Sequence, residues 1–327
     1  MFLAGDIGGT KTNLALYAYK DDKLCLEESA SFPSKDHKTL VEIVRLFLGE
    51  GDAHHVRHAC FGVAGPVKDG AVQVTNLPWC VDAAEIQAEL RFQRVSLLND
   101  LEANAYGIRT LTAKELLPIN PKGDPQQVGN QALISAGTGL GEAGLIWDGL
   151  THRPFASEGG HASYAPNSSI GDELLIFLRK EHGHVSWERV LSGMGMRNLY
   201  RFFRERSGIP EPAWLTEEIS KGDLAAITTQ LGLAKKDPVC VEALEAFTRI
   251  YGAEAGNLAL KMLALGGVYI GGGIAPKMLE KIQSDTFLEA FFHKGRLRPL
   301  LETIPIYVIL NDKTALQGAA WYAAHLG

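Results

Sequence analysis

The sequence predicts an α/β fold in which ligands bind at the carboxyl ends of strands. Short apolar segments typical of buried strands alternate with segments whose apolar residues recur at helical spacing. Three glycine-rich turns follow directly after predicted strands, and the strand–turn–strand pattern of the N-terminus returns near residue 131. This recurrence is typical of an internal duplication.

The composition is that of an ordinary globular protein. Its 327 residues are 46% hydrophobic and 21% charged, which is enough for a large core. The net charge is -6 and no basic run is interleaved with aromatic residues, so we expect no nucleic acid partner. The four cysteines form no CxxC pair, which disfavours both a zinc knuckle and a disulfide framework.

The ends and apolar stretches of the chain predict a cytoplasmic protein with no membrane partner. No basic region precedes the apolar N-terminus, which Asp6 interrupts, so a signal peptide is disfavoured. The longest uncharged stretch, Met262 to Pro276, is glycine-rich. It is shorter than the roughly 18 apolar residues that a membrane-spanning helix needs.

The first half of the chain alternates strands and helices. Residues 2–4 and 12–19 are predicted strands around the turn "GDIGGTKT", and a third strand follows the charged turn "YKDDK". The segment "TLVEIVRLFLGE" predicts a helix, and "HVRHACFGVAGPV" an apolar strand. The strand "RVSLLND" ends at Asn99 and Asp100, and the helix "LEANAYGIRTL" begins directly after it.

The second half repeats this organisation. The segment "QALISAGTGLGEAGLIW" predicts a strand, a glycine turn and a second strand. Residues 174–256 are expected to be mainly helical. The segment "GGVYIGGGIAPKM" then predicts a strand, three glycines and a helix, and "KTALQGAAWYAAHL" an alanine-rich helix.

The turn "GDIGGTKT" nearly matches the P-loop pattern G-x-x-x-x-G-K-[ST]. Thr10 occupies the place of the second glycine, and a strand is predicted after Thr12 where a P-loop has a helix. We also expect none of the three turns to carry the Rossmann fingerprint G-x-G-x-x-G. The turn could be a tight hairpin without a ligand, or it could bring backbone N–H groups close to a phosphate.

Asp6 lies inside this candidate anion-binding turn. A carboxylate there would repel a phosphate unless a cation lies between them, and Mg²⁺ meets that requirement while it keeps several bound waters. Thr10 and Thr12 add hydroxyl donors, and Lys11 either approaches a phosphate or is simply solvated.

Six segments carry a resemblance to known proteins. "GDIGGTKT", "SAGTGLG" and "VYIGGGIAPKM" resemble, in the same order, the phosphate-1, phosphate-2 and adenosine segments of the sugar kinase/Hsp70/actin superfamily. More narrowly, "LLNDLEANAYG", "SEGGHASYAPN" and "WERVLSGMG" resemble the bacterial glucokinase family.

The resemblance implies an architecture and an activity. It implies two RNase H-like (actin-like ATPase) α/β domains around a cleft, with residues 1–111 and 312–327 in the smaller domain and residues 112–311 in the larger. It also implies phosphoryl transfer from ATP to the 6-hydroxyl of glucose, and a homodimer.

Asp100 is the residue that the resemblance assigns to catalysis. A sugar hydroxyl must lose its proton as the phosphoryl group arrives, and an aspartate of a kinase accepts that proton. From the residues alone, an N-cap for the following helix is the simpler interpretation of Asp100. The resemblance favours the general base.

The remaining site residues are also those that the resemblance implies. Glucose would be bound by hydrogen bonds from Asn99, Asp100, Glu158, His161 and Glu188. From the residues alone, Glu188 could be an exposed helix residue, and His161 a metal ligand or a structural histidine. Mg²⁺ would be positioned by Asp6 through bound water. ATP would be held by Asp6, Gly8, Gly9, Thr10, Lys11, Gly137, Thr138, Gly139, Gly271, Gly272 and Gly273.

Other functions stay open at this point. A kinase for fructose, mannose or an amino sugar would use similar contacts, and polyphosphate could replace ATP as donor. A sugar-responsive regulator on the kinase fold is less favoured. Regulators of this kind usually carry a DNA-binding domain before the phosphate turn, and here that turn begins within the first ten residues. Zinc is not expected, because the chain lacks the cysteine cluster that joins the equivalent histidine in a related group of sugar kinases.

Overall fold

The computed structural model describes residues 1–20, 23–49, 56–75 and 77–326, which separate into two compact units. The first unit contains Met1–Glu115, Arg153–Ala156 and Asn311–Gly327, and the second contains Leu116–His152 and Ser157–Leu310. The middle of the predicted turn "YKDDK" and the last residue of the predicted helix "TLVEIVRLFLGE" lie outside the described residues.

The strands and helices follow one another largely as the sequence predicts. The strands are β1 (Phe2–Ile7), β2 (Lys11–Lys20), β3 (Lys23–Pro33), β4 (His58–Val63), β5 (Ala71–Gln73), β6 (Cys80–Asp82), β7 (Arg94–Asn99), β8 (Leu116–Pro118), β9 (Gln131–Ala136), β10 (Leu140–Trp147), β11 (His152–Ser157), β12 (Val268–Gly271) and β13 (Ile306–Ile309). The α-helices are α1 (Leu40–Leu48), α2 (Ala83–Leu90), α3 (Asp100–Ile108), α4 (Ser169–His182), α5 (Gly193–Ser207), α6 (Ala213–Lys221), α7 (Leu224–Leu233), α8 (Pro238–Met262), α9 (Leu279–Ile282), α10 (Asp285–Phe292), α11 (Arg298–Glu302) and α12 (Thr314–His325). Short 3₁₀ helices cover Ser34–Asp36, Gly159–His161, Trp187–Arg189, Ala275–Met278 and Gly295–Leu297.

The two main sheets share one strand order. The first sheet runs β3-β2-β1-β4-β7, and the second runs β11-β10-β9-β12-β13 with β8 added at its edge. Strand β1 pairs antiparallel with β2 and parallel with β4, and β9 likewise pairs antiparallel with β10 and parallel with β12. The recurrence in the sequence therefore corresponds to a repeated sheet topology.

The parallel strands of the first sheet end level with one another. Ile7 of β1 pairs with Val63 of β4, and Val63 pairs with Asn99 of β7. The residues that follow these strands therefore lie along one edge of the sheet, which is where α/β proteins bind ligands.

Two details differ from the sequence predictions. Strand β1 continues to Ile7 instead of ending at Ala4, because residues 5–7 extend the ladder with β4. The Rossmann fingerprint is present after all, since Gly139, Gly141 and Gly144 match G-x-G-x-x-G. Gly141 and Gly144 nevertheless lie inside β10, where a dinucleotide site requires the start of a helix.

Helix α3, which begins at Asp100, is held by direct backbone contact with α12. A Cβ atom added to Gly107 or to Gly318 would overlap the carbonyl oxygen of Thr314 or of Ala103, respectively. Glycine is required at both positions because it lets the two helices approach this closely. The start of α3 is thereby fixed to the first sheet and to α12 together.

Helix α8 is the centre of the second unit. Its side chains Phe247 and Tyr251 are fully buried, and Asp237 caps its first turn by accepting a hydrogen bond from the Cys240 amide at 2.9 Å. The region from residue 174 to residue 256 is mainly helical, as predicted. No helix within the described ranges is long and apolar enough to span a bilayer.

Candidate active site

Asp6 lies at the ligand-binding edge of the first sheet. It is half-buried in β1, opposite Asn13 of β2 and Gly62 of β4. Burial raises the pKa of Asp6, and a 3.2 Å hydrogen bond from Asn13 Nδ2 partly offsets that rise. A cation bound nearby would also lower the pKa of Asp6 and would favour its ionised carboxylate.

Ser34 stabilises the turn after Asp6 through hydrogen bonds. Ser34 donates its amide to Thr10 O at 3.0 Å and its hydroxyl to Gly8 O at 2.8 Å. Its hydroxyl also lies 3.0 Å from the buried hydroxyl of Thr12. Thr12 therefore stabilises the turn, and the expectation that it offers a free phosphate donor is wrong. The side chains of Thr10 and Lys11 are exposed, and Gly9 is half-buried.

Asn99 is the N-cap of α3. Its Oδ1 accepts hydrogen bonds from Leu101 N at 2.9 Å and Glu102 N at 3.4 Å, and its Nδ2 donates to Gly65 O at 3.1 Å. The side chain is only 6% exposed. One hydrogen of the Nδ2 group remains for a further acceptor.

Asp100 is the first residue of α3, one position after the cap. It is half-buried, and its Oδ1 also accepts a hydrogen bond from Leu101 N, at 2.9 Å. The N-cap of α3 is therefore Asn99 and not Asp100. The Asn99 side chain accepts hydrogen bonds from the amides of both Leu101 and Glu102.

The two glycine turns of the second unit lie side by side. Strands β9 and β12 are parallel and in register, with Gly271 opposite Ser135. Ile274 N donates to Ala136 O at 3.2 Å, and a Cβ atom on Gly272 would overlap the same oxygen. The residues Gly137–Gly139 and Gly271–Gly273 are therefore brought together at one sheet edge.

The buried side chain of Tyr251 links the two strand ends that carry these turns. Its hydroxyl donates to Gly271 O at 3.3 Å and accepts from Ala136 N at 3.4 Å. The sequence pattern does not identify this residue, because a tyrosine in the middle of a long apolar helix is ordinarily a core residue.

Glu188 lies against the first of these turns. The 3₁₀ helix Trp187–Arg189 carries it, and its Oε2 accepts a 3.0 Å hydrogen bond from Leu140 N. A Cβ atom on Gly139 would lie 2.5 Å from that oxygen. Beyond Glu188, Gly193 at the start of α5 donates its amide to Gly137 O at 2.8 Å. The segment "WERVLSGMG" is thus built around the Gly137–Gly139 turn.

Glu158 and His161 are presented on the turn that precedes this segment. His161 Nε2 lies 3.9 Å from Glu158 Oε2, and the two side chains are 62% and 56% exposed. The turn is anchored because Trp187 N donates to Ala162 O at 3.0 Å. A carboxylate and an imidazole that are both accessible offer the donor and acceptor groups that a polyhydroxyl ligand needs.

The candidate residues therefore form one group in each unit. The group in the first unit contains Asp6, Gly8, Gly9, Thr10, Lys11, Asn99 and Asp100. The group in the second unit contains Glu158, His161, Glu188, Gly137–Gly139 and Gly271–Gly273. Across the described ranges, no three His, Cys, Asp or Glu residues are clustered as a metal site would require.

Comparison with known proteins assigns the chain to one family. The Glucokinase family model matches residues 3–326. A glucokinase from Nostoc punctiforme is 44% identical, across 100% of this chain and 99% of that relative. The chain belongs to the glucokinase family. This membership makes it an enzyme of the sugar-kinase class, as the sequence predicts.

Solved glucokinases share the fold. The glucokinase from an Antarctic psychrotroph has a TM-score of 0.84 at 34% identity, over 99% of this chain and 98% of that one. A ROK family glucokinase from Streptomyces griseus, solved with glucose and AMPPNP, has a TM-score of 0.68 at 20% identity, over 99% of both chains. The chain therefore has the two-domain, actin-like ATPase fold of these sugar kinases, in agreement with the predicted fold class.

Proposed function

We propose that this chain transfers the γ-phosphoryl group of ATP to the 6-hydroxyl of D-glucose, with Asp100 as the general base. The observation that carries the proposal is the glucokinase family match over residues 3–326. The placement of Asp100 supports the assigned role, because it stands at the carboxyl edge of the first sheet, beside an Asn99 that already caps α3.

The proton transfer needs only the carboxylate of Asp100. The 6-hydroxyl of glucose donates a hydrogen bond to this carboxylate. It loses its proton to the carboxylate as its oxygen bonds to the γ-phosphorus and the bond from that phosphorus to the β–γ bridging oxygen breaks, which releases ADP. Because the Leu101 amide is bonded to Oδ1, that contact holds the carboxylate in a fixed orientation at the start of α3.

Sugar recognition uses the remaining polar side chains. Glu158, His161 and Glu188 in the second unit, and the spare Nδ2 hydrogen of Asn99 in the first, bind the hydroxyl groups of glucose. A sugar that lacks one of these hydroxyls would leave a polar group unpaired, which lowers its affinity.

The phosphates of ATP are bound by the glycine turns. In the first unit these are the backbone groups of Gly8, Gly9, Thr10 and Lys11. In the second unit they are the two adjacent turns Gly137–Gly139 and Gly271–Gly273, fastened by Tyr251. The N-terminus of α5 next to Gly137 adds a favourable field for an anion. Mg²⁺ enters with ATP as part of the substrate.

One coupled assay tests the proposed function. The purified full chain is supplied with glucose, fructose, mannose or N-acetylglucosamine, each with ATP and with polyphosphate. We expect glucose and ATP to give the highest kcat/KM. A clear preference for another sugar or for polyphosphate would replace that part of the proposal, and no phosphorylation of any sugar would refute it. We also propose that the protein is a homodimer, which sedimentation velocity tests. We propose in addition that it is cytoplasmic, which cell fractionation tests.

Replacing Asp6 with asparagine is expected to raise the magnesium concentration for half-maximal activity by roughly tenfold or more. Residues that orient metal ligands from outside the first coordination shell typically have effects of this size. Asparagine keeps an oxygen for the hydrogen bond from Asn13 and removes only the charge. Initial rates across a magnesium titration measure the effect, with the exposed Asp69→Asn as the charge-matched control. Identical magnesium curves for Asp6→Asn and wild type would remove Asp6 from the site.

Replacing Glu188 with glutamine is expected to raise the KM for glucose roughly tenfold or more, with a smaller change in kcat. Hydrogen bonds to a charged group contribute about 1.5–3 kcal/mol. The glutamine oxygen can still accept the bond from Leu140 N, so the turn is retained. Steady-state kinetics at saturating ATP measure the effect, with the exposed Glu205→Gln on α5 as control. An unchanged KM would mean that Glu188 only supports the turn.

A further inference from the structure

Two glutamates are buried next to each other in the second unit. Glu142 on β10 is 1% exposed and Glu254 on α8 is 0% exposed. Their carboxyl groups interact directly. A buried pair of this kind is costly when both groups are ionised, because like charges repel strongly away from water.

The two carboxyl groups differ in their hydrogen-bond partners. Glu254 accepts a 2.9 Å hydrogen bond from Lys261 Nζ and a 2.7 Å hydrogen bond from Asn257 Nδ2. Glu142 Oε1 has no hydrogen-bond partner in the described part of the chain. Glu142 is therefore the member of the pair that carries a proton. Burial first, and then the charge of Glu254, raise the pKa of Glu142 to about 8.

The other oxygen of Glu142 lies against the turn that presents Glu158 and His161. A Cβ atom on Gly159 would overlap Glu142 Oε2, and one on Gly160 would overlap the carbonyl oxygen of Leu140. Both glycines therefore rest on the first residues of β10. The contact is close enough that a shift of the Glu142 carboxyl group must move the turn.

We propose that Glu142 is a positioning residue for the sugar-binding turn: as a neutral carboxylic acid it supports Gly159 and thereby sets the positions of Glu158 and His161. This proposal rests on the proposed function, because it assigns these two side chains to the sugar. Glu142 itself touches no substrate.

The proposal has a consequence for the dependence of sugar binding on pH. Glu254 and Lys261 on α8 act on Glu142 directly. Glu158 and His161 lie on the turn whose Gly159 contacts Glu142. Lys294, which donates to Ala253 O at 2.9 Å, interacts with Glu254. Burial lowers the pKa of Lys294 to about 8. As pH rises through this range, Glu142 gains a negative charge while Lys294 loses a positive one. The charge that Glu142 gains increases repulsion within the pair and displaces the turn. The charge that Lys294 loses only removes an attraction to Glu254.

The test compares glucose KM between pH 7 and pH 9 in wild type and Glu142→Gln. When only the neutral form is competent to bind, apparent affinity falls with its fraction, so one pH unit above the pKa the KM rises up to about tenfold. We expect this rise in wild type and in the exposed control Glu173→Gln. Glu142→Gln cannot ionise, and its KM should stay level over the same range.

Each outcome of this experiment decides one question. If wild type and Glu142→Gln show the same pH dependence of KM, Glu142 does not position the turn. If neither phosphorylates glucose at pH 7, the proposed function is wrong instead. A ¹³C NMR titration of glutamate carboxyl groups in the wild-type chain covers the case in which Glu142→Gln does not fold. A glutamate resonance titrating near pH 8 is expected, and its absence would overturn the proposal.

Discussion

Replacing Asp100 with asparagine is expected to lower kcat by about 10²–10⁴-fold while glucose still binds, because general-base contributions have that size. Asparagine keeps the shape of the side chain, and its oxygen can still accept the hydrogen bond from Leu101 N. The cap of α3 is also preserved, because Asn99 supplies it. The substitution therefore removes the proton acceptor while it keeps these contacts.

The measurement is turnover at saturating glucose and ATP, together with glucose affinity from intrinsic tryptophan fluorescence. Asp69→Asn is the control, since this exposed residue has a φ of 52° that asparagine adopts readily. Near-normal turnover of Asp100→Asn would restrict Asp100 to a structural role at the start of the helix.

Replacing Gly272 with alanine is expected to lower the free energy of unfolding by about 2–4 kcal/mol and to raise the KM for ATP. Gly272 has a φ of 84°, and its added methyl group would overlap Ala136 O. The strain of the backbone and the forced separation of the two turns each contribute to the loss. The turns would part at the place where Ile274 N donates to Ala136 O.

Gly273→Ala provides the matched comparison for stability. A Cβ atom at Gly273 would have no other atom within 4 Å. Denaturant unfolding of both variants should therefore show a loss for Gly272→Ala and a change within about 0.5 kcal/mol for Gly273→Ala. Equal midpoints for the two variants would show that the turns tolerate a side chain at Gly272.

Local patterns in the sequence predict the fold well, because each main element carries its own signal. The strand–turn–strand segment of residues 131–147 and the alanine-rich helix α12 are confirmed. The 3₁₀ helix Ala275–Met278 delays α9 beyond the third glycine turn, where a single helix is predicted. Its first turn contains Pro276, which has no amide hydrogen to donate.

Contacts between distant segments account for what the sequence could not predict. Ser34 supports a turn 22 or more residues before it, and Tyr251 reaches from α8 to two strand ends. No local pattern distinguishes Glu142 from other strand residues, because its neighbour Glu254 lies far along the chain. None of these side chains belongs to a local pattern, so only the tertiary structure identifies them.

The contact of α12 with α3 has a consequence for the order in which the chain folds during synthesis. Residues 116–310 of the second unit are almost continuous in sequence and can fold as they emerge. The first unit needs Leu316, Ala319 and Ala320 to complete the small-residue core that contacts Ala103 of α3. The edge that bears Asp100 is therefore assembled only after α12 has left the ribosome, and a growing chain would contain a folded second unit before it contained this edge.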